Sequence, residues 1–502
     1  MRIPLRTTLA TATAAALTGG LLTLAAAPAG AAPAGALTDF NGDGYGDLAV
    51  TAPYARIGSA DQAGAVVITY GSKSGLTSAN RQFITQNSAG VPGTAEADDL
   101  FGQTLAEGDF DDDGYTDLAV GTPGEDVGST ADKGLITFLW GSAKGLSGGN
   151  NLAESVSSPA SEKGFGGQLA SGDFNGDGKA DLAYVEFGSN AVRLRFGGFT
   201  VGTEGALAAR SEVFVASAVN SSGPEAGTTG LTAGDVNGDG LDDLLVGGNS
   251  GTGDSYDLHK YALYLLDTFA SGAHQPVYAG SVGHGTSAAI ADIDGDGYAD
   301  IVTGNPWDAD ALPYDDEDAL GGAVTLVHGG AGGIDTTRAA QTITQNTAGV
   351  PGSSEKNDNF GSSLALGDIN ADGYADLAVG APYETVGSAT YEGAGAVTVI
   401  PGTAKGLSTG TSYAYNQGTT GVPGSVEGGD WFGSAVRLAD TNGDAKADLA
   451  IGSAGENSSD GGVWSLKGTA TRLTTSGAVS YGTAALGVPT AGYPQLGSWI
   501  TG

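Results

Sequence analysis

Short apolar stretches alternate with polar, glycine-rich turns along almost the whole chain. The stretches are mostly 4–7 residues long and rich in β-branched and aromatic side chains, as at residues 64–70, 135–140 and 396–400. Runs of this kind bounded by turn residues predict β-strands. Residues 256–270 come closest to a helical pattern, but they fall where the third strand of a repeat is expected. The chain is therefore predicted to be all-β.

One acidic motif of nine residues recurs seven times, each time just before an apolar stretch. Its pattern is Asp-x-[Asp/Asn]-x-Asp-Gly-x-x-Asp, and successive copies begin 57 to 76 residues apart. That spacing suits four short strands with their turns, which is one blade of a β-propeller. We number the copies acidic loops 1 to 7; they occupy residues 39–47, 109–117, 173–181, 235–243, 292–300, 368–376 and 440–448.

The two ends of the chain complement each other. A Phe-Gly pair precedes four of the acidic loops by eight residues, beginning at Phe101, Phe165, Phe360 and Phe432, and marks the first strand of a repeat. The first repeat lacks such a strand, whereas residues 478–502 resemble one and carry no acidic loop. We predict a closed seven-bladed β-propeller of four-stranded antiparallel blades, because closure removes exposed strand edges. The C-terminal strand, near residues 496–501, would complete the first blade beside residues 48–51.

The first 35 residues are predicted to be a signal peptide and a short leader. Arg2 and Arg6 precede an Ala/Leu-rich run over residues 7–27, and small residues suited to cleavage follow. The alternative is a single membrane anchor. No later segment is apolar and long enough to span a bilayer. We expect a secreted, extracellular protein without membrane insertion, whose propeller spans residues 36–502.

These features resemble the FG-GAP repeats of the integrin α-subunit β-propeller and of its bacterial secreted relatives. The shared marks are the Phe-Gly pairs, the acidic loops and Gly-Ala-Pro-like turns such as residues 380–382, although repeats three to five depart from that turn. The resemblance covers residues 36–502 and implies a seven-bladed propeller with calcium in some blades. It leaves function open, because such propellers include adhesion heads, lectin-like modules and domains attached to enzymes.

The charge of the chain favours cations as ligands. It has 57 acidic and 20 basic residues, a net charge of −37, and no cysteine. This charge argues against nucleic acid and anionic membranes as partners, since both need basic surfaces. Without cysteine there are no disulfides and no thiolate ligands for zinc.

The acidic loops are expected to bind calcium. Ca²⁺ takes six to eight oxygen ligands, which the side chains at loop positions 1, 3, 5 and 9 and the carbonyl at position 7 can supply. One such loop could be a plain turn, but seven in register favour a metal. Glycine at position 6 permits the sharp turn; acidic loop 7 has Ala445 there and should bind most weakly. The predicted ligands are Asp39, Asn41, Asp43, Tyr45, Asp47, Asp109, Asp111, Asp113, Tyr115, Asp117, Asp173, Asn175, Asp177, Lys179, Asp181, Asp235, Asn237, Asp239, Leu241, Asp243, Asp292, Asp294, Asp296, Tyr298, Asp300, Asp368, Asn370, Asp372, Tyr374, Asp376, Asp440, Asn442, Asp444, Lys446 and Asp448.

No catalytic motif stands out. None of the four histidines has a metal-binding spacing, and His284, in the place of a Phe-Gly phenylalanine, is interpreted as structural. No phosphate-binding loop is present. We expect a monomeric calcium-binding module for adhesion or ligand binding; the alternative is an extracellular polysaccharide lyase or hydrolase on the same ring.

A ligand is expected on the face opposite the acidic loops, where the connecting loops are longest. This unknown protein or glycan would meet exposed aromatic side chains, although each of these could instead pack against a neighbouring loop. The candidates are Tyr54, Trp307, Tyr314, Tyr383, Tyr391 and Trp431.

Overall fold

The structure, a computed structural model, describes residues 37–152, 163–187, 191–199, 211–216, 228–249, 259–266, 276–308, 320–387 and 391–502. Within these residues the chain forms seven four-stranded antiparallel sheets in chain order, which are the blades of a seven-bladed β-propeller. The predicted fold is confirmed. The predicted signal peptide lies outside the described residues. No helix among the described residues is long and apolar enough to cross a membrane.

We number the blades by the acidic loop that each contains and the strands along the chain. Blades 1 to 4 consist of β1 (Leu48–Ala52), β2 (Ala65–Thr69) and β3 (Arg81–Ile84); β4 (Thr104–Gly108), β5 (Asp117–Thr122), β6 (Leu135–Trp140) and β7 (Ser147–Leu152); β8 (Lys163–Gly172), β9 (Asp181–Phe187), β10 (Ala191–Arg195) and β11 (Ser211–Val215); and β12 (Thr228–Gly234), β13 (Asp243–Asn249), β14 (His259–Leu265) and β15 (Val277–His284).

The remaining blades follow the same plan, with a small extra hairpin, β19 and β20, after the third strand of blade 5. Their elements are β16 (Ser287–Ala291), β17 (Asp300–Asn305), β18 (Ala323–Val327), β19 (Gly329–Gly330), β20 (Gly333–Ile334) and β21 (Gln341–Ile343); β22 (Ser363–Gly367), β23 (Asp376–Ala381), β24 (Ala396–Ile400) and β25 (Tyr413–Tyr415); and β26 (Phe432–Ala439), β27 (Asp448–Ser453), β28 (Gly462–Lys467), β29 (Thr474–Gly482) and β30 (Ile500–Thr501). Short helical turns lie at α2 (Thr483–Leu486) and the 3₁₀ turn Thr409–Thr411, whereas α1 (Glu456–Ser459) is a turn whose last three residues have positive φ.

The core lies between neighbouring blades. The strand after an acidic loop is buried along its whole length, as in β1, β5, β23 and β27. Both faces of such a strand pack against other blades, so its sequence is continuously apolar instead of alternating. One cluster joins Val66 and Ile68 of blade 1 to Leu118 and Val120 of blade 2.

The Phe-Gly pairs join each blade to the one before it. Phe101 is fully buried, and its N–H donates to the Ala63 carbonyl of blade 1 at 3.0 Å. The backbones approach so closely here that a Cβ on Gly64 would lie 2.3 Å from the Phe101 carbonyl oxygen, so only glycine fits. The phenylalanine therefore anchors two blades at once.

The C-terminal segment closes the ring as predicted. In β30, Thr501 pairs with Ala49 and Ile500 pairs with Val50 of β1. Leu496 is fully buried in the position that phenylalanine takes elsewhere, and its N–H donates to the Asp460 carbonyl of blade 7 at 3.1 Å. Blade 1 thus combines three strands from the beginning of the propeller with one from its end.

Candidate metal centre

All seven acidic loops lie on one face of the ring, directly before the second strand of each blade. We call this face the acidic-loop face. Six of the loops connect the first and second strands of a blade, and acidic loop 1 precedes β1, which pairs with β30. The repeated strand order therefore brings predicted ligands from distant parts of the sequence to one side of the molecule.

The aspartate at position 1 shapes its loop by accepting several backbone N–H groups. Asp39 Oδ1 accepts from Gly42 at 2.6 Å and from Asp43 at 3.1 Å, and Asp39 Oδ2 accepts from Gly44 at 2.7 Å. Asp43 Oδ1 in turn accepts from the Tyr45 N–H at 3.1 Å. The loop consequently curls round its own carboxylates.

The aspartate at position 9 is buried in every blade and joins two backbone segments. One of its oxygens accepts the backbone N–H of a residue just after the third strand of the same blade, at 2.6–3.1 Å. The other accepts the N–H of loop position 2 in acidic loops 1 to 6 and the Thr441 hydroxyl in acidic loop 7. These aspartates are Asp47, Asp117, Asp181, Asp243, Asp300, Asp376 and Asp448.

Burial makes the charged form of these aspartates costly. Desolvation, partly offset by the backbone hydrogen bonds, raises the pKa of Asp47, Asp117, Asp181, Asp243 and Asp376 to about 7. Outside acidic loop 5, the described residues provide no Lys, Arg or His partner for a position 9 carboxylate. A cation in the loop would supply the missing positive charge.

The carboxylates converge to different degrees in different loops. Oxygen atoms from three aspartates lie within 4.8 Å of one another in acidic loop 1 (Asp39, Asp43, Asp47) and acidic loop 2 (Asp109, Asp111, Asp117). In acidic loop 5 they do so for Asp292, Asp294 and Asp296. The aspartates of acidic loops 3, 4, 6 and 7 form no group this close in the described structure. The converging oxygen donors of acidic loops 1 and 2 fit a calcium ion.

Neighbouring acidic loops also contact one another, which the sequence did not indicate. The position 8 N–H of one loop donates to the position 1 carbonyl of the preceding loop, as from Thr116 to Asp39 at 3.1 Å and from Gly46 to Asp440 at 2.9 Å. The ring of Tyr115, at position 7 of acidic loop 2, packs against the backbone of Gly42, at position 4 of acidic loop 1. Where position 4 is instead Asp112, position 7 of the next loop is Lys179, and the two form a 2.9 Å ion pair.

Position 7 therefore contributes packing between loops in addition to its predicted carbonyl ligand. The recurring partners could have been found by comparing position 7 of each repeat with position 4 of the repeat before it. A tyrosine or leucine at position 7 packs against glycine in five of these pairs, and Lys179 pairs with Asp112. Lys446 in acidic loop 7 departs from this rule, because position 4 of acidic loop 6 is Ala371.

Comparison with protein families finds the FG-GAP repeat at residues 31–68, 101–139, 165–185, 284–327, 360–400 and 432–466. Integrin alpha-7 of Rattus norvegicus is 32% identical over 204 residues, covering 39% of this chain and 15% of the integrin. The chain is an integrin-like FG-GAP repeat propeller.

Other relatives of the FG-GAP propeller are equally partial matches. Phosphatidylinositol-glycan-specific phospholipase D of Rattus norvegicus is 35% identical over 148 residues, which cover 29% of this chain and 17% of that enzyme. The aligned part is thus less than a fifth of either relative. Among solved structures, a subtype N11 neuraminidase-like protein of A/flat-faced bat/Peru/033/2010 (H18N11) aligns with 76% of this chain over 86% of its own length, with 10% identity and a TM-score of 0.35, too low to bear on function.

The rim opposite the acidic-loop face carries a second, different set of carboxylates. Three times, a buried aspartate two residues before Phe-Gly or its equivalent lies near two glutamates, one of which accepts a hydrogen bond from a buried glutamine at 2.5–2.7 Å. Desolvation raises the pKa of Asp99 to about 6 and that of Asp358 and Asp430 to about 7. We call these opposite-rim clusters; they are Gln86, Glu96, Asp99 and Glu125; Gln345, Glu355, Asp358 and Glu384; and Gln417, Glu427, Asp430 and Glu456.

The predicted aromatic residues of the FG-GAP propeller have different surroundings. Tyr383 is 41% exposed, and its ring centroid lies 5.8 Å from that of half-buried Trp431. Tyr391 is also exposed, whereas Trp307 is half-buried and packs against His259. Tyr54 is half-buried, and Tyr314 lies outside the described residues.

A pocket of about 170 Å³ opens beside Tyr383 and Trp431 and is also lined by Glu355, Asp358 and Glu392. It lies next to the second opposite-rim cluster, between long loops of neighbouring blades. An acidic wall combined with two aromatic rings can contact hydroxyl groups, apolar ring faces or cationic groups.

Proposed function

We propose that this FG-GAP propeller is a secreted, monomeric, calcium-stabilised binding module. Calcium would occupy acidic loops other than acidic loop 5, and a protein or glycan would bind the opposite rim. The position 9 aspartates outside acidic loop 5 support this proposal most directly, because they are buried carboxylates without a basic partner in the described structure. Calcium would neutralise them and hold the curled loops in place.

The residues assigned to calcium are the oxygen donors at positions 1, 3, 5 and 9 and the carbonyl at position 7. Two loops, acidic loops 1 and 2, already hold three carboxylates within 4.8 Å of one another. The chain itself contributes the position 1 hydrogen bonds that set the curl and the position 9 anchor that ties the loop to the third strand. A cation that binds the folded loop alone stabilises the fold by mass action.

The proposed ligand site is the pocket beside Tyr383 and Trp431. Exposed aromatic rings with nearby hydrogen-bonding carboxylates suit a sugar ring or a side chain of a partner protein. The exposure of Tyr383 and Tyr391 supports this surface over the acidic-loop face.

Calcium binding is tested by removing it. We expect the melting temperature to fall in chelator and to recover in millimolar Ca²⁺, since one site at a hundredfold excess over its Kd contributes about 2.7 kcal/mol. Elemental analysis after dialysis should find several calcium ions per chain. An unchanged melt together with a metal-free protein would contradict the proposal.

Ligand binding is tested with glycan and extracellular-protein arrays in calcium. Tyr383→Ala should remove the binding that the wild-type protein shows, whereas Tyr278→Ala, at an exposed tyrosine of the outermost strand of blade 4, serves as the control. The same glycans should be followed for new reducing ends or unsaturated products. Turnover would favour the lyase or hydrolase alternative over a binding module.

A further inference from the structure

Among the described residues, acidic loop 5 differs from the other acidic loops because basic side chains from outside the loop contact its predicted ligands. In acidic loop 7 the basic contact comes from within the loop, where Lys446 lies 3.6 Å from Asp444. His328 directly follows β18, and Arg338 follows the small hairpin of β19 and β20. Arg338 Nη1 donates to Asp294 Oδ2 and lies 3.6 Å from Asp296 Oδ2. The guanidinium therefore contacts positions 3 and 5 of the loop.

His328 contacts the remaining side of the same loop. Its Nδ1 lies 2.9 Å from Asp300 Oδ1 and 3.4 Å from Asp294 Oδ2, and all three residues are buried. Positions 3 and 9 are thereby occupied by contacts within the protein. Of the four aspartates expected to bind an ion, Asp292 is the one held by backbone N–H donors without a basic side chain, from Gly295 and Gly297, among the described residues.

The carboxylates of acidic loop 5 are thus already paired with a positively charged side chain, that of Arg338. A guanidinium stays charged at all physiological pH values and donates hydrogen bonds in a fixed planar arrangement. It would repel a calcium ion held by the same carboxylates. Acidic loop 2 has aspartates at the same four positions, yet the basic residue that forms an ion pair with it, Lys179, contacts Asp112 at position 4.

We propose that Arg338 replaces the calcium ion in acidic loop 5, with His328 closing the other side of the loop. Blade 5 then keeps its loop folded without metal, while the other blades depend on calcium. This inference rests on the proposed function, because it assumes that the other acidic loops bind calcium.

The first test compares two loops by the same substitution. Asp292→Ala and Asp368→Ala each remove a position 1 carboxylate that accepts backbone N–H groups in its loop. After dialysis against calcium, elemental analysis should show one ion fewer per chain in D368A than in the wild type. D292A should bind as many ions as the wild type.

The second test opens the loop to metal. Arg338→Met should bind one calcium ion more than the wild type, whereas Arg338→Lys should not. Arg81→Met is the control: Arg81 also lies near the start of the fourth strand of its blade, but it donates to the Ser78 carbonyl and forms no ion pair with an acidic loop in the described structure. R81M should leave the ion count unchanged.

Two outcomes would overturn the inference: loss of one ion in D292A, or an ion count in R338M no higher than in the wild type. If R338M does not fold, the comparison of D292A with D368A still shows whether acidic loop 5 binds a calcium ion. Hydrogen exchange gives an independent measurement, because chelator should deprotect β23 more than β17. If the wild-type protein binds no calcium at all, the proposed function itself is wrong. This result differs from the two outcomes above, in which the wild-type protein binds calcium.

Discussion

Asp376 on the acidic-loop face and Asp358 on the opposite rim are both almost completely buried, yet they are held differently. Asp376 accepts two backbone N–H groups, from Gly402 at 2.9 Å and from Ile369 at 3.2 Å. Asp358 accepts one, from Glu355 at 2.6 Å, and its neighbour Glu384 is bound by the amide of Gln345. Asp376 thus joins an acidic loop to the segment after the third strand of its blade, whereas Asp358 stabilises a local turn by accepting an N–H from three residues before it.

The difference separates two uses of buried acids. In acidic loops 1 and 2, three carboxylates of one loop converge within 4.8 Å, so a cation can satisfy them together. Acidic loop 6, which contains Asp376, has the same backbone curl around its position 1 aspartate without so close a group. In the opposite-rim clusters, a neutral glutamine amide satisfies one glutamate directly, and the described carboxylates do not approach one another within 4.8 Å in groups of three. Burial and a raised pKa therefore do not by themselves identify a metal site.

The largest effect is expected from opening the ring, on which both faces depend. Deleting residues 492–502 removes β30 and the buried Leu496, and so exposes an edge of blade 1 and an apolar surface of blade 7. We expect loss of cooperative melting. Leu496→Ala should cost about 2–5 kcal/mol. A truncated protein that melts like the full chain would show that closure contributes little.

Matched substitutions on the two faces test the comparison most directly. Asp376→Asn places an NH₂ group against one of two N–H donors, which should cost about 1–3 kcal/mol and remove one bound calcium ion. Asp358→Asn can keep its single hydrogen bond from Glu355, so its stability should change less. Denaturant titration and elemental analysis measure both quantities. Loss of an ion in D358N would mean that the opposite rim also binds metal.

The pH dependence of stability should differ with and without calcium. The pKa of buried aspartates such as Asp47 and Asp358 is about 7, compared with the ordinary value of 3.8. The folded chain then binds more protons than the unfolded chain between these values, so the free energy of unfolding should fall as pH rises from about 4 to 7. Calcium should abolish the share of this pH dependence that comes from the acidic loops. The share that comes from the opposite-rim clusters should remain.

Denaturant titrations at pH 5, 6, 7 and 8 with calcium or chelator would measure these slopes. Glu125→Gln should reduce the slope that remains in calcium, because the pKa of Glu125 is also raised to about 7 by burial and the variant can still accept from Gln86. Equal slopes with calcium and with chelator would mean that the acidic loops do not bind the ion.

The smallest effect is expected in acidic loop 7. Ala445 has a φ of 63°, a left-handed conformation, and its N–H donates to Asp440 Oδ2 at 2.7 Å. Ala445→Gly should stabilise the chain by about 1 kcal/mol because glycine adopts this φ without a steric penalty. It should also lower the calcium concentration needed for half-maximal stabilisation. Weaker calcium binding in A445G would contradict the turn assigned to the loop.

Much of the architecture could be predicted because its causes are local and repeated. Turn residues bound each strand, the Phe-Gly pairs mark where blades join, and the missing first strand of blade 1 required a C-terminal partner. The curl of the acidic loops also follows from local chemistry, since a position 1 aspartate reaches N–H groups three to five residues ahead.

The side-chain partners of the carboxylates could not be predicted in the same way. Arg338 lies 44 residues from Asp294 in sequence, and no repeat pattern connects them. The glutamine and glutamate of the first opposite-rim cluster are 39 residues apart and belong to different blades. Such pairs form only after the blades have packed, because their side chains come from separate loops that the ring brings together.

The sequence by itself determined the number of blades, the strand order and the positions of the acidic loops, because backbone hydrogen bonding and turn geometry act over a few residues. The tertiary structure decided the partners of the buried charges. A carboxylate removed from water must find donors or a cation within a few ångströms. In acidic loop 5 those partners are Arg338 and His328, whereas in acidic loop 1 the described protein offers Asp47 only backbone N–H groups.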